Sequence, residues 1–285
     1  MSLRYRFHLP PHSADFFPGV LMESPVDPVK RRHRELERIA LASLRCARVL
    51  MQCGASARVV HQCGAMLANS QKVELLGLRL GYASITMTLG SGGNSITRMV
   101  TIRGHGVNHR LDRAVRALVR EAAETAMLPA ALELRLDRLE ATTPRYPFWV
   151  TAVAVGIACG SFSGLLGADE RAMVAVLFAS GLGQAVRMML HRRGVNVFVI
   201  TTAVALIASW LGGFGAERLH SGTVDLAVFG ATLLLVPGVP ATNAQADVVD
   251  GFPTLGSARA VSVLMVMVFA AVGLWVARLL LGYPV

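Results

Sequence analysis

Five long apolar stretches, almost free of charged residues, dominate the second half of this chain. They cover residues 147–167, 172–190, 195–213, 226–246 and 260–277. Arg187 is the only charged side chain within them. A helix needs about 20 predominantly apolar residues to cross the hydrocarbon layer of a bilayer. The stretches therefore predict five membrane-spanning helices, and a plain water-soluble enzyme is a poor fit.

The alternative for these stretches is a helix bundle buried inside a soluble protein. Helices of such a bundle keep a polar face toward water. The stretches show almost no polar face, and the whole chain has a mean hydropathy of +0.50 with only 16% charged residues. A lipid bilayer is therefore the favoured surrounding for this half of the chain.

Charge is distributed unevenly along the chain. Residues 1–145 carry 21 of the 28 Lys and Arg residues and 12 of the 18 Asp and Glu residues. Basic residues lie before the first apolar stretch and between the second and the third: Arg135, Arg138, Arg145, Arg192 and Arg193. Because cytoplasmic loops carry an excess of Lys and Arg, we expect an inner-membrane protein with a cytoplasmic amino terminus and, after an odd number of crossings, an external carboxyl terminus. The positive charge then reports orientation, and we expect no nucleic acid partner.

The first half has the mixed periodicity of an α+β domain. Apolar residues at three- and four-residue steps predict helices, and two-residue alternation predicts strands and a hairpin. The helices are expected at 31–53, 56–69, 111–127 and 130–142, and the strands at 73–82, 84–89 and 95–102, with a turn at 90–94. The predicted organisation is a disordered, proline-rich tail (1–29), a cytoplasmic α+β domain (30–145) and an all-α transmembrane domain (146–285) of about five helices, the fourth of them broken.

The sequence offers little for cofactor chemistry. The four cysteines form no CxxC pair and lie among apolar residues, so we expect buried thiols. His61 and Cys63 are spaced like metal ligands, but no second pair follows, and a structural zinc site needs four ligands. The chain contains no GxxxxGK[ST] phosphate loop. We therefore expect no metal and no cofactor.

Small residues form a stripe in the first apolar stretch. Gly156, Gly160 and Gly164 recur at every fourth residue. This spacing places them on one side of a helix and allows a neighbouring helix to approach closely. We interpret the stripe as a packing face, and the alternative is a sliding wall of a transport pathway.

Prolines interrupt the fourth apolar stretch. Pro237 and Pro240 flank Gly238 in the run Val-Pro-Gly-Val-Pro. Proline has no N–H, and inside a helix its ring clashes with the preceding turn. Unpaired backbone at membrane depth is tolerated only where it lines a cavity or is buried in protein. Because transporters bind substrates at such breaks, Pro237, Gly238 and Pro240 are candidate substrate-binding residues.

Polar residues near the break extend this candidate site. Asn243 and Asp247 follow the break and share a helix face because they are four residues apart. Arg187 and Asn196 are expected at a similar depth. A guanidinium is suited to binding a carboxylate, and Asp247 to binding an ammonium group or a proton. The alternatives are a proline-ended span followed by a solvated loop, and an Arg187 side chain that snorkels to the headgroups.

At these residues the chain resembles the threonine/serine exporter family, and most closely its two-subunit branch, which includes a succinate exporter. The resemblance extends from about Glu35 to Leu281. Its most specific part is Leu-Val-Pro-Gly-Val-Pro-Ala-Thr-Asn-Ala-Gln-Ala-Asp at 235–247, supported by Arg-Tyr-Pro-Phe-Trp at 145–149 and Gly-Val-Asn at 106–108.

The resemblance implies export of a small polar metabolite, driven by an ion gradient without a nucleotide. Fused members resemble this unit followed by a second, smaller membrane unit, so the resemblance also implies a separate small membrane subunit as a partner. Higher oligomers are compatible with it. Similar chains often have an acidic residue after Gly-Ala-x-x-Arg-Val, where this chain has Val60 and His61. This departure argues against hydrolytic chemistry and favours an assembly or gating role for the cytoplasmic domain.

Three functional hypotheses follow. The favoured one is a subunit of a secondary transporter that exports threonine, serine, succinate or a similar small molecule. The second is a membrane-anchored structural or regulatory subunit that does not line the pathway. The third is a membrane-anchored enzyme, for which the chain offers His61, His105, His109 and Asp112 but no nucleophile elbow.

Overall fold

The computed structural model describes residues 33–144 and 146–282, so the predicted tail at 1–29 lies outside the described residues. The described chain begins with an α+β part and continues as a series of apolar helices, as predicted. The four cysteines are free and buried, which confirms the prediction for them.

The amino-terminal part contains four helices and three strands, each within a few residues of its predicted position. They are α1 (His33–Gln52), α2 (Ala57–Ser70), β1 (Glu74–Leu80), β2 (Ser84–Ser91), β3 (Asn94–Thr101), α3 (His109–Glu124) and α4 (Pro129–Thr142). Pro129 is the first residue of α4, where proline is tolerated because its missing N–H would have no partner inside the helix.

The strands form one antiparallel sheet in the order β1-β2-β3. Gly92 and Gly93 make the turn between β2 and β3 with positive φ angles of 54° and 85°, as a two-residue hairpin turn of this kind requires. Alternate residues of β2 are buried, among them Ile85, Met87 and Leu89. They join the core built around the apolar face of α1, so the sheet covers one side of that helix.

Four helices of the second part are long and apolar enough to cross a membrane. They are α5 (Phe148–Leu165), α6 (Glu170–Arg192), α7 (Val197–Arg218) and α10 (Pro253–Leu280). Between α7 and α10 lie α8 (Val224–Gly230), a 3-10 turn (Leu233–Leu235) and α9 (Gly238–Val249). The segments before and after residue 236 meet at an angle of 62°. The bend lies where the fourth helix was predicted to break, and it makes this segment either a broken span or a re-entrant loop.

The bent segment from α8 to α9 joins the two ends of α10. At its start, Asp225 forms an ion pair with Arg278 in the last turn of α10, with an N–O distance of 3.3 Å. At its other end, Asp247 pairs with Arg259 in the second turn of α10. The bent segment thus runs antiparallel to α10, which favours a broken span over a loop that returns to the side from which it started.

The glycine stripe of α5 packs against α6. A Cβ atom added to Gly156 would lie 2.5 Å from the carbonyl oxygen of Leu177, and one added to Gly160 would lie 2.9 Å from that of Met173. Both distances are too short for real carbon atoms, so the backbones of α5 and α6 approach closely only because these residues are glycines. The packing interpretation of the stripe is confirmed.

Candidate functional site

The break in the bent segment lies between Leu235 and Gly238. The N–H of Gly238 donates to the carbonyl oxygen of Val236 over 2.9 Å, which closes a tight turn around Pro237. Pro240 lies within the first turn of α9 and does not interrupt that helix, because the first N–H groups of a helix have no partner inside it. Our expectation that the interruption extends through Pro240 is therefore corrected: it ends at Pro237.

Arg187 of α6 reaches this break. Its Nη1 donates to the carbonyl oxygen of Leu234 over 3.2 Å, and the side chain is exposed. Gly183, one turn earlier on α6, brings the helix close to the break, because an added Cβ there would lie 3.2 Å from the Leu234 side chain. The other donor groups of Arg187 have no hydrogen-bond partner among residues 33–144 and 146–282. The structure thus places a guanidinium with spare donors at the break.

Asn196 caps α7. Its side-chain oxygen accepts a hydrogen bond from the N–H of Phe198 over 2.9 Å, which satisfies one of the N–H groups that a helix start leaves unpaired. The side chain is exposed just before the first residue of α7. A local structural role therefore accounts for the position of Asn196, and its assignment to a substrate site stays a prediction.

Asn243 and Asp247 share a face of α9, as predicted, and that face contacts the amino-terminal part. Asn243 Nδ2 donates to the carbonyl oxygen of Gly54 over 2.7 Å. Asp247 Oδ1 accepts a hydrogen bond from the N–H of Ala57 over 2.8 Å, and Asp247 is fully buried. Both partners lie at the junction of α1 and α2, which we call the α1–α2 turn (residues 53–57) and which includes the first residue of α2. The two side chains that were expected to face a substrate are thus already bonded to this turn.

Asp247 acts as the cap of α2. Ala57 is the first residue of α2, and the preceding Ser56 makes no side-chain cap hydrogen bond. The Asp247 carboxylate takes that place from a distant part of the chain. A negative charge is favourable at a helix amino terminus, where the helix dipole is positive. A side chain of α9 therefore supplies the amino-terminal cap of α2.

Arg259 of α10 completes this cluster, and the sequence argument did not single it out. Its Nη1 lies 2.5 Å from Asp247 Oδ2, and its Nη2 donates to the carbonyl oxygen of Ala55 over 2.9 Å. Only 5% of its surface is exposed. A charged residue directly before the last apolar stretch was the available signal, but nothing in the sequence indicates its partners.

Two further contacts extend the same interface. Arg58 at the start of α2 forms an ion pair with Asp250 beyond the end of α9. The ring of His61 on α2 lies 5.9 Å from that of Phe252, which precedes α10. Leu255 of α10 is buried in the core of the amino-terminal part. The two parts of the molecule therefore share a continuous interface.

An open groove lies between α9 and α10 and has a volume of about 610 Å³. Its lining is mostly apolar: Ala241, Ala244, Gln245, Val248, Val249, Ala260, Val263, Leu264 and Met267. The amide of Gln245 has no hydrogen-bond partner within the described ranges. Such a lining suits apolar groups better than a charged metabolite, so the groove does not by itself indicate a carboxylate site.

Of the four residues considered for an enzyme active site, His61, His105 and Asp112 make structural contacts. The ring of His105 stacks on Tyr82 at 4.1 Å, and its Nε2 lies 2.9 Å from the Tyr82 carbonyl oxygen. Burial lowers the pKa of both His61 and His105. Asp112 forms an ion pair with Arg116 over 2.8 Å. Among the described residues no three His, Cys, Asp or Glu side chains are arranged to hold a metal ion.

Comparisons with known proteins match most of the chain. Residues 42–281 match the ThrE family model, which describes threonine/serine exporters. "Probable succinate transporter subunit YjjP" of Klebsiella aerogenes is 25% identical over 231 residues, which cover 81% of this chain and 88% of that protein. The protein of the same name in Escherichia coli (strain K12) is 25% identical over 217 residues, covering 76% and 84%. No solved structure matches the chain.

Proposed function

Because this chain belongs to the threonine/serine exporter family, we propose that it is a subunit of a secondary transporter that exports a small carboxylate or amino acid. The observation that carries this proposal is the break in the bent segment with the Arg187 guanidinium bonded to it. A broken helix at membrane depth exposes backbone groups that bind solutes in transporters. A multi-pass membrane protein with such a break is suited to transport.

Arg187 is the proposed contact for the carboxylate of the substrate. A guanidinium carries five N–H donors in a planar fork, and the structure engages Nη1 with Leu234. The amino terminus of α9 adds the N–H of Val239 and the positive end of a helix dipole next to the break, because the Gly238 N–H is bonded to Val236 and Pro240 has no N–H. Arg187, Pro237, Gly238 and Pro240 therefore form the proposed substrate-facing part of the site. Asn243 and Asp247 affect this part of the site indirectly, because they fix the position of α9.

The substrate class follows from this chemistry. Threonine, serine and succinate all carry a carboxylate, and a guanidinium binds each of them by the same two hydrogen bonds. The relatives are named as succinate transporter subunits, and the family is described by threonine and serine. Succinate and these two amino acids are therefore the candidates to test first.

The surroundings of the chain are part of the proposal. We place the amino-terminal part in the cytoplasm and the helices in the inner membrane, because Arg192 and Arg193 at the end of α6 lie on the side of the basic amino-terminal part. The relatives are named as subunits, which supports a separate membrane subunit as the partner. The amino-terminal part then serves assembly or positioning, without an enzymatic reaction of its own.

An efflux assay tests the function. Cells without their own exporters of these metabolites are loaded with succinate, threonine or serine, and export is measured with this chain alone, with a candidate small membrane subunit alone, and with both. We expect export of at least one of the three substrates only when both chains are present. Equal export with and without this chain would contradict the proposal. A substrate analogue that crosslinks to the partner subunit and never to this chain would instead favour a structural subunit outside the pathway.

A further inference from the structure

We infer that Asp247 and Arg259 are positioning residues that hold α9, and with it the break, in place against the amino-terminal part of the molecule. They do so through a buried cluster with the α1–α2 turn. For its effect on transport this inference rests on the proposed function. Its structural content, the fixed position of α9, does not depend on the substrate.

The cluster joins three separate parts of the chain. The Asp247 carboxylate uses one oxygen for the N–H of Ala57 and the other for Arg259. Arg259 uses one terminal nitrogen for Asp247 and the other for the carbonyl oxygen of Ala55, with the sulfur of Met51 at 3.5 Å. Every one of these distances is between 2.5 and 3.5 Å. The pair therefore ties α9 and α10 to both sides of the α1–α2 turn.

The helix α9 needs such an attachment. The break at Pro237 separates it from α8, so no continuous helical hydrogen bonding fixes the direction of α9 relative to α8. On one side α9 packs against α10, and the groove lined by Gln245 and Val248 leaves the adjoining side open. The contacts of Asn243 and Asp247 with the α1–α2 turn thus fix the position of α9, which the chain before the break does not determine.

The chemistry of the cluster also indicates positioning. Moving two charges out of water is unfavourable, and replacing a buried ion pair by apolar residues often leaves stability unchanged or improved. Here both oxygens of Asp247 and both terminal nitrogens of Arg259 are used. Each bond has a defined direction, which apolar packing does not provide. The pair therefore specifies one arrangement of the three chain segments.

The turn itself is shaped for this contact. Gly54 has φ +90°, and a Cβ atom there would lie 2.9 Å from the carbonyl oxygen of Gly106 and 3.7 Å from a methyl group of Val239. Val239 follows the first residue of α9, directly beyond the break. The α1–α2 turn therefore contacts α9 along its length, from Val239 near the break to Asp247 in the last turn.

A distance measurement tests the inference on the full chain. Nitroxide labels are attached to cysteines introduced at Arg113 on α3 and at Val249 on α9, which are both exposed. The native cysteines are buried and do not compete for the label. Pulsed electron resonance on the purified protein in lipid nanodiscs then gives the distribution of distances between α3 and α9. Arg278→Gln is the matched control, because it removes an arginine from the other end of α10.

We expect one narrow distance population in the parent and in Arg278→Gln. Asp247→Asn and Arg259→Gln should broaden or shift it and lower export by about tenfold or more, because each leaves a buried group without its charged partner. Arg259→Lys keeps the charge and loses the planar fork, so export should recover part of the way. The double variant Asp247→Asn with Arg259→Gln carries no unpaired buried charge, so it should fold even if a single variant does not.

The results separate this inference from the proposed function. An unchanged distance distribution in the variants that fold, the double variant included, would overturn it. A shifted distribution accompanied by full export would overturn the inferred effect on transport, because export would then not depend on where α9 lies. A parent protein that exports none of the candidate substrates would contradict the proposed function alone, and the distance distributions would still decide whether Asp247 and Arg259 position α9.

Discussion

Arg187 places a positive charge inside α6, five residues before that helix ends at Arg192. A charged side chain within a membrane helix is costly and usually serves a function. Its single described hydrogen bond goes to the carbonyl oxygen of Leu234 at the break. A side chain that only reached for the headgroups would not need this bond, so the contact argues against that alternative, and substrate binding by Arg187 stays a proposal.

Replacing Arg187 by alanine is expected to lower substrate export by about tenfold or more, because a hydrogen bond to a charged group contributes roughly 1.5–3 kcal/mol. Arg187→Lys should retain part of the export, since it keeps the charge without the planar fork. Export is measured at equal amounts of protein in the membrane, and Arg193→Ala just beyond α6 is the control. Export by Arg187→Ala at the parent rate would remove Arg187 from the site.

Gly54 offers a second test at the level of one residue. Gly54→Ala should lower the apparent melting temperature, because a residue other than glycine at positive φ costs about 1–3 kcal/mol and the new Cβ would lie 2.9 Å from the Gly106 carbonyl oxygen. Gly93→Ala separates the two causes. Gly93 also has positive φ, +85°, but an added Cβ there meets no atom within 4 Å. Equal effects of the two substitutions would show that the close contact at Gly54 is unimportant.

At the level of elements, the close pairing of α5 with α6 depends on glycine. Gly156→Ala is expected to destabilise the folded protein by roughly 1–3 kcal/mol, as overpacking usually does, because the new Cβ would lie 2.5 Å from the carbonyl oxygen of Leu177. Val153→Ala on the exposed side of α5 is the control and should change stability little. Thermal unfolding in nanodiscs compares them. A Gly156→Ala protein as stable as the control would mean that α5 and α6 separate without cost.

Local patterns predicted the elements well and their partners poorly. The spacing of apolar residues is a local property, so α1 and the strands were predicted to within a few residues. Pro237 predicted the break for the same reason. One partner of Asp247, the N–H of Ala57, is 190 residues away along the chain, and periodicity carries no information about such a contact. The shared face of Asn243 and Asp247 was therefore predictable, and what that face touches was not.

The site shows the same division between local and distant information. Asn196 was expected at a substrate site because it is polar and predicted to lie at the depth of the break. It caps α7, and its role in substrate binding stays a prediction. A cap residue and a ligand-binding residue look alike in one sequence, since both are polar side chains at the start of a helix. Arg259 could not be assigned, because its role depends on the α1–α2 turn coming next to α10.

For the whole molecule, the interface between the two parts contains two histidines that respond to pH. Burial lowers the pKa of His61 and of His105, so the folded protein holds them neutral at pH values where an unfolded chain, with a histidine pKa of about 6.5, takes up protons. The contribution of these two neutral histidines to stability is therefore present above about pH 6.5 and is lost as the pH falls below that value. Acidification should loosen this interface first, because both histidines contribute to it. His61 contacts Phe252, which precedes α10. His105 stacks on Tyr82, and the Tyr82 hydroxyl is hydrogen-bonded to Ser262 of α10.

This expectation is tested by the apparent melting temperature between about pH 7.5 and 5.5, the range in which histidine titrates. The parent should lose stability toward acid, and His61→Asn with His105→Asn should show a smaller slope. His220→Asn is the control, since His220 lies at the other end of the helices and its φ of 55° suits asparagine. A slope that is the same in the double variant and the parent would exclude the two histidines as its cause.

The cap that Asp247 provides also bears on how the polypeptide is made. A ribosome finishes α2 long before it reaches Asp247, since 190 residues separate the carboxylate from the N–H of Ala57. Until α9 and the start of α10 emerge, the start of α2 lacks its anionic cap and the α1–α2 turn lacks its contact with Arg259. Completion of the amino-terminal part is therefore coupled to late synthesis, and a nascent chain released before Asp247 should be exposed to quality-control proteases at the start of α2.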